Sequence, residues 1–190
     1  MDFILKRSNR RTVALEIAPD GSLIVRAPLR YTQEQAEAFV SAHGDWVKKH
    51  LPDVLNKRSA VESLSAKDIA VAKKAIKLLC EAYIRKYAPI MQVEPQRVTV
   101  TSAKKRFGSC SGKNTVCFSY LLILYPLTAI EYVVVHELAH ILHHDHSAAF
   151  HRCVEKYLPS ARIYEKQLCH SNASYTNFQR NVESARNLTC

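Results

Sequence analysis

The 190-residue chain lacks several features that would assign it to a common class. It has no C-x-x-C pair among its six cysteines, which argues against a zinc ribbon or a thioredoxin-type redox site. It has no apolar run of about 18 residues, so a membrane span is not expected. Its first residues, Met1 to Arg7, lack an apolar signal core and a small-residue cleavage site, so a cytoplasmic location is the default expectation.

The composition is that of a folded globular protein. Hydrophobic residues make up 47% of the chain and charged residues 23%, which is a globular balance. The length suits one compact domain, or a main domain with a small appendage. Cys110 and Cys117 flank a predicted turn and could in principle meet, but a cytoplasmic setting favours free thiols.

The net charge of +10 is concentrated in the middle of the chain. Residues 59–130 carry 11 lysines and arginines against 4 acidic residues. Such a block could attract nucleic acid or an acidic substrate, so nucleic acid is one candidate partner. The alternative is that many of these cations form the solvated face of a single helix; the residues concerned are Lys73, Lys74, Lys77, Arg85 and Lys86.

Residues 1–58 are predicted to form a β-rich subdomain with one helix. Alternating stretches on both sides of the Pro19-Asp-Gly21 turn predict a small antiparallel sheet. Thr32 is a suitable N-cap for a helix that continues to about His50, just before Pro52. The polar residues 53–65 are the best candidate for a linker.

Residues 66–170 are predicted to form the main domain. The apolar periodicity predicts a helix over 66–88 that Pro89 ends, and β-branched residues predict a strand over Arg97–Thr101. Residues 104–119 are typical of a hairpin with its tip at 111–114. Thr128 and Glu131 are spaced as a capping box, and a short helix should begin near Ser147. The tail, residues 171–190, is predicted to be loosely ordered.

The strongest motif is His136-Glu-Leu-Ala-His140, an H-E-x-x-H sequence in an apolar helical segment. On a helix, His136 and His140 lie one turn apart on one face and can bind a common metal ion. Glu137 lies beside that pair, where it can act as general base on a zinc-bound water. The motif therefore predicts a hydrolase that holds one Zn²⁺ per chain.

The third metal ligand is less constrained by the sequence. His146 has the spacing of the long zincin pattern, so it is preferred to His144. A later glutamate, Glu155 or Glu165, is the alternative. His143 stands where metzincins place a glycine, and histidine can adopt the positive φ that this turn requires. A methionine turn is absent, because the only methionines, Met1 and Met91, precede the motif.

Segments spread over most of the chain match a known family: Lys6-Arg-Ser8, Arg10-Arg-Thr-Val13, Pro19-Asp-Gly21, Val25-Arg-Ala-Pro28, Trp46, Arg106-Phe-Gly-Ser-Cys-Ser111, Tyr132 to His140, His144-Asp-His-Ser147 and Phe150. In these segments the chain resembles the YgjP-like metallopeptidase family, a zincin branch related to the SprT-like and WLM domains. The resemblance implies an α+β, zincin-like metallopeptidase domain, zinc held by His136, His140 and His146, and Glu137 as general base. Phe107, Ser119 and His151 replace a tryptophan, an asparagine and a tryptophan that are common in the family.

These observations predict a peptidase whose substrate is a protein or peptide. In zincins the strand before the metal helix pairs with extended substrate, so Gly108 and Ser109 are candidate substrate-binding residues. Two alternatives remain: a metal-binding adaptor for nucleic acid or protein that does not catalyse, and a zinc hydrolase of non-peptide amides. The sequence does not indicate the physiological substrate or the oligomeric state.

Overall fold

The computed structural model describes residues 1–169, without the side chain of residue 169, and residues 172–189. It is a mixture of helices and two small sheets, as expected for an α+β protein. The chain divides into two compact units, Met1–Ser59 and Ala60–Cys190. The division falls inside a helix, whereas the predicted boundary between residues 170 and 171 lies outside the described residues. No helix in the described part of the chain combines the length and the apolar character needed to cross a membrane.

The first unit contains strands β1 (Phe3–Ser8), β2 (Ala14–Ile17) and β3 (Leu23–Pro28). Strands β2 and β3 form the predicted antiparallel hairpin, with Gly21 in the turn at φ 87°. The prediction of a wholly antiparallel sheet is wrong, because β1 pairs with β3 in parallel. Strand β3 lies between β1 and β2, and local turn signals identify only the β2–β3 hairpin.

Two helices follow the first sheet. Helix α1 (Gln33–Ala42) begins at Thr32, whose hydroxyl accepts a hydrogen bond from the backbone N–H of Gln35. Helix α2 (Gly44–Glu62) contains Pro52 in its interior, so neither a single helix to His50 nor a linker over 53–65 is correct. The segment contains Leu55, Lys57, Arg58, Ala60 and Glu62, and residues of these types have good helix propensity. Buried residues of the sheet and of both helices share one core: Leu23, Val25, Ala27, Ala36, Val40 and Val47.

Helix α3 (Ala66–Met91) is the longest element of the second unit. Ser65 and Asp68 cap its start reciprocally, and Gln92 ends it in the left-handed region at φ 55°. The predicted end at Pro89 is therefore one turn too early. Ala72, Ile76, Leu79, Cys80 and Tyr87 are among the residues that this helix buries in the core of the unit.

The second sheet contains β4 (Arg97–Thr101), β5 (Gly108–Cys110) and β6 (Thr115–Ser119), in the order β4-β6-β5. Strands β5 and β6 form the predicted hairpin, and β4 joins β6 in parallel. Cys110 lies opposite Val116 and Ser109 lies opposite Cys117, so the two cysteines project from opposite faces of the sheet. Both are free thiols, as predicted.

A 3₁₀ helix (Tyr120–Leu124) leads into α4 (Leu127–Leu142), which carries the H-E-x-x-H motif. The predicted cap is wrong: Pro126 is the N-cap, and no side chain caps the helix. The Thr128 hydroxyl donates instead to Gln167 Oε1 at 2.7 Å. The Glu131 carboxylate accepts a hydrogen bond from the Tyr87 hydroxyl at 2.7 Å. Contacts between helices have replaced the local capping interaction.

Three helices complete the second unit. Ser147 caps α5 (Ala148–Tyr157) as predicted, and α6 (Ala161–Cys169) follows. The loosely ordered tail is a wrong prediction, because α7 (Tyr175–Asn187) packs on the core. Asn181, which is buried, donates hydrogen bonds of 2.8 Å to the carbonyls of Ile123 and Tyr125. The polar composition of residues 171–190 gave no indication of this helix, which the buried amide of Asn181 holds against the core.

Candidate metal centre

Helix α4 supplies three of the four residues that define the site. Its interior is almost wholly buried, from Ala129 through Ala139, so the helix is a rigid support within the core. His136 and His140 lie one turn apart on the face that emerges from the core, and both are partly buried. The loop that precedes α5 brings His146 to the same place.

The three imidazoles converge through their ring nitrogens. His136 Nε2 lies 3.2 Å from His140 Nε2 and 3.2 Å from His146 Nε2. The ligand atoms of these three residues all lie within 4.8 Å of one another. Zn–N bonds of about 2.0–2.1 Å at tetrahedral angles would place two ligand nitrogens about 3.3–3.4 Å apart. The spacing of this donor set therefore fits a zinc ion.

The Nδ1 atom of each helical histidine has a hydrogen-bond partner, and the partner of His140 fixes its tautomer. His140 Nδ1 lies 3.0 Å from the carbonyl oxygen of His143, to which it donates as N–H. His136 Nδ1 lies 3.3 Å from the Tyr132 hydroxyl. With the proton on Nδ1, each Nε2 presents its lone pair to the centre, an arrangement typical of metal-binding histidines.

The turn between the second and third histidines differs from the expectation. His143 has φ −136° and ψ 106°, which is extended backbone, not the left-handed conformation that a metzincin-like turn requires. Asp145 Oδ1 accepts a hydrogen bond from the backbone N–H of Ser147, and Ser147 caps α5. The His146 loop is thus organised by local side-chain contacts without a glycine.

Phe150, on the first turn of α5, packs against all three imidazoles. Its ring centroid lies 4.4 Å from that of His140, 4.8 Å from that of His136 and 4.9 Å from that of His146. Phe150 is 1% exposed, so it closes the apolar side of the centre. Burial, followed by the charges of the neighbouring histidines, lowers the pKa of His136 to about 3. The neutral imidazole that a metal requires is therefore the stable form.

Glu137 is buried beside the three histidines, with 5% of its surface exposed. Burial raises the pKa of its carboxyl group to about 8, and the positive charge of Arg106 opposes that rise. Its Oε2 atom is buried and accepts no hydrogen bond from any residue in the described part of the chain. A carboxylate oxygen with an unused acceptor position suits proton transfer to and from a reacting molecule.

Strand β5 lies against the motif helix at Glu137. A Cβ atom added to Gly108 would lie 2.6 Å from Glu137 Cγ and 2.7 Å from Glu137 Cδ. The side-chain space of Gly108 is therefore filled by the glutamate. Ser109 lies opposite Cys117 and points to the other face of the sheet. The role of both residues in substrate binding stays a prediction.

The basic block has two parts in the structure. The five cations of the alternative interpretation, Lys73, Lys74, Lys77, Arg85 and Lys86, are exposed on α3, as a solvated helix face would be. Lys104, Lys105 and Arg106 form a second part, exposed in the loop that leads into β5. This basic loop (residues 104–106) is close enough to Glu137 for Arg106 to affect its pKa.

A cavity of about 290 Å³ is lined by Tyr132 and Phe150, which contact the metal-site histidines. Tyr132, Phe150 and Val154 give it a buried apolar floor, and Arg162 pairs with Glu155 at 2.6 Å on its rim. Glu155 is thus committed to an ion pair. Of the described residues, the group placed to hold a metal is His136, His140 and His146, without His144 or the two glutamates.

Sequence reasoning missed three sets of contacts at the centre. The position of Tyr132, four residues before His136, could have indicated a contact on the same helix face. The proximity of Arg106 to Glu137 had no local signal, because it depends on how β5 packs against α4. Phe150 was noticed only as part of a motif, and its contact with three rings depends on the tertiary fold.

Comparison with models of known protein families gives a match over most of the chain. Residues 11–71 and 58–171 match the family model described as YgjP-like, metallopeptidase domain. No curated protein and no solved structure matches the chain. The matched segments run through most of the sequence and include every residue of the three-histidine group and Glu137. The chain belongs to the YgjP-like metallopeptidase family.

Proposed function

We propose that the protein is a zinc-dependent peptidase that hydrolyses peptide bonds with Glu137 as general base. The observation that carries the proposal is the convergence of three imidazole nitrogens at a spacing that fits tetrahedral zinc, next to a buried carboxylate. Membership of a metallopeptidase family supports the same reaction class. Zinc is the preferred ion because three imidazoles that leave one position open are typical of catalytic zinc sites.

In this mechanism His136, His140 and His146 would hold the ion. When bound, zinc supplies Lewis acidity that polarises the substrate carbonyl and acidifies water. Glu137 accepts the proton of the attacking water at its carboxylate and delivers it to the departing amine. The Tyr132 hydroxyl and the His143 carbonyl keep the two helical imidazoles in orientation. Phe150 excludes water from the apolar side of the rings.

Substrate would lie between β5 and the three histidines. Strand β5 is an edge strand in the sheet order, and an edge strand can pair with extended peptide through main-chain hydrogen bonds. Gly108 and Ser109 would then face the substrate with their backbone groups. The 290 Å³ cavity beside Phe150 could accept a substrate side chain with an apolar stem. This arrangement favours proteins or peptides over compact small amides.

Metal removal tests the function directly. Protein purified without a tag and without added metal should contain about one zinc per chain. It should cleave fluorescein-labelled casein, lose that activity after treatment with 1,10-phenanthroline, and recover it with about one equivalent of Zn²⁺. Zinc content is measured by inductively coupled plasma mass spectrometry, and casein cleavage by the increase in fluorescence.

The other outcomes separate the alternatives. One zinc per chain with no cleavage of casein or of a mixed peptide library would contradict the peptidase and favour a metal-binding adaptor. Zinc-dependent release of ammonia or amine from small amides, with peptides left intact, would favour a non-peptide hydrolase. If the protein contained no zinc and could not take it up, both zinc hydrolases, the peptidase and the non-peptide hydrolase, would be contradicted.

Nucleic-acid binding is a second candidate function, and the basic loop favours it. Lys104, Lys105 and Arg106 are consecutive and exposed, and they lead directly into β5 beside the metal centre. Phosphate contacts by such cations give binding that weakens steeply with salt. A substrate attached to a polyanion would then be held next to Glu137.

The salt dependence of DNA binding tests this candidate. Replacing all three loop cations by glutamine should lower the slope of log K against log salt for a 30-base-pair duplex by about 2–3. The matched control replaces Lys67, Lys73 and Lys74 on α3 by glutamine, which changes the net charge equally. Fluorescence anisotropy measures both. An equal change in the two triple variants would show that only net charge matters.

A further inference from the structure

We propose that Gly108 is a positioning residue: the absence of its side chain creates the space in which the Glu137 carboxylate is held. The sequence predicts Gly108 to be a substrate-binding residue. In the structure, the space that a side chain at position 108 would need is already occupied by the Glu137 side chain. Glycine is therefore required at this position whether or not substrate is bound. The catalytic consequence rests on the proposed function, whereas the structural coupling between the two residues does not.

The overlap created by a side chain at position 108 would be large, and its three closest contacts would all be with Glu137. An added Cβ would lie 2.6 Å from Glu137 Cγ, 2.7 Å from Glu137 Cδ and closer still to Glu137 Oε1. Real Cβ atoms essentially never approach another heavy atom closer than 3.0 Å. Gly112, at the tip of the same hairpin, has no heavy atom within 4 Å of the corresponding position.

The backbone conformation does not itself require glycine at position 108. Gly21 is the glycine with positive φ in the described part of the chain, and Gly108 is part of a regular β-strand. Alanine could adopt that strand conformation without strain. The requirement therefore comes from the space that Glu137 occupies.

The backbone around Gly108 is also held in place. Gly108 lies opposite Phe118 in the β5–β6 ladder, and the Phe107 carbonyl accepts a hydrogen bond from the Ser119 N–H at 2.7 Å. The Phe107 ring packs edge-on against Tyr125, which is fully buried, with centroids 4.9 Å apart. On the other side, Glu137 projects from a helix packed in the core. The flexible element at this contact is the glutamate side chain.

A methyl group at position 108 should therefore displace the carboxylate and leave the fold intact. The three heavy atoms nearest to the added atom all belong to Glu137, and none of them belongs to a metal-site histidine. The metal ligands should keep their positions. Substrate binding along the β5 backbone should also persist. The loss of activity should therefore come from impaired proton transfer by Glu137.

The first experiment compares Gly108→Ala with Gly112→Ala on fluorescein-labelled casein. Displacement of the carboxylate by about 1 Å should lower kcat by about a hundredfold in the former, with KM and zinc content unchanged. Gly112→Ala should match the wild type. A wild-type kcat in Gly108→Ala would overturn the proposal, as would loss of zinc, since the effect would then act through the ligands.

The second experiment needs no substrate and separates this inference from the proposed function. Thermal midpoints of the zinc-loaded protein are measured for Gly108→Ala in the wild-type and Glu137→Ala backgrounds. The substitution should lower the midpoint in the wild type, and should leave it unchanged or raise it where Glu137 has been truncated. Gly112→Ala should shift both backgrounds equally.

The thermal comparison tests the coupling between Gly108 and Glu137 even if one variant is unstable or the protein cleaves no casein. Equal shifts of Gly108→Ala in the two backgrounds would overturn the coupling. If Gly108→Ala alone does not fold, the double variant must fold, and its failure to do so would overturn the proposal as well. Absence of casein cleavage by the wild type would contradict the proposed function and leave the thermal result to settle the role of Gly108.

Discussion

Replacing Glu137 by glutamine should leave zinc bound and lower kcat for casein hydrolysis by about 10²–10⁴-fold, the usual contribution of a general acid–base group. Glutamine has nearly the shape of glutamate, so the space next to Gly108 stays filled. It cannot accept and return a proton as the carboxylate does. Because Glu137 is not in the group placed to hold the metal, the zinc content should stay at the wild-type value.

Glu94→Gln is a suitable control for this prediction. Glu94 is exposed in the segment between α3 and β4, and its substitution makes the same chemical replacement away from the centre. It should keep wild-type kcat. Turnover in Glu137→Gln within a factor of about two of the control would remove Glu137 from the mechanism, since general-base loss should cost at least about a hundredfold. Loss of zinc together with activity would indicate a structural role.

The core of the candidate site could be predicted from the sequence because helix geometry is local. The i, i+4 spacing of His136 and His140 places both on one face whatever the rest of the chain does. The longer step to His146 depends on a loop, and the structure brings this histidine to the other two. His143 shows the limit of the reasoning, since the turn is extended and uses Asp145 and Ser147 instead of a left-handed residue.

The function of Gly108 could not be predicted from the sequence. Glycine in a hairpin has several explanations, among them a turn, a bulge or a close approach of backbone. The register of β5 on β6 and the packing of α4 decide which one applies. A motif search finds Gly108 and Glu137 as separate signals, 29 positions apart in the chain. Their contact is a property of the tertiary structure.

The errors in the fold have a common physical cause. Thr128 and Glu131 satisfy a local capping pattern, yet their side chains bond to Gln167 and Tyr87 on other helices. The polar tail forms a helix because Asn181 satisfies two buried carbonyls, which its composition does not reveal. Likewise, the parallel pairing of β1 with β3 has no local turn signal. Local rules failed where tertiary contacts supply the stabilising free energy.

Replacing His146 by alanine should weaken zinc binding more than any change outside the ligand set. Loss of a residue that hydrogen-bonds to a metal ligand typically lowers metal affinity by about 10–100-fold. Loss of one of the three ligands themselves should lower it more. We therefore expect zinc affinity to fall by more than about a hundredfold, with activity lost unless zinc is in large excess. Titration with a competing chelator measures the affinity.

His144→Ala is the matched control, because it removes an exposed imidazole two residues away in the same loop. It should retain zinc at the wild-type affinity, since His144 is outside the converging group. If zinc were lost from His144→Ala and kept in His146→Ala, the third metal ligand would be His144 and not His146. Retention in both would require a glutamate ligand, which Glu155→Gln and Glu165→Gln would then identify. Glu155 would have to break its 2.6 Å contact with Arg162 to reach the metal, so we expect neither glutamate variant to lose zinc.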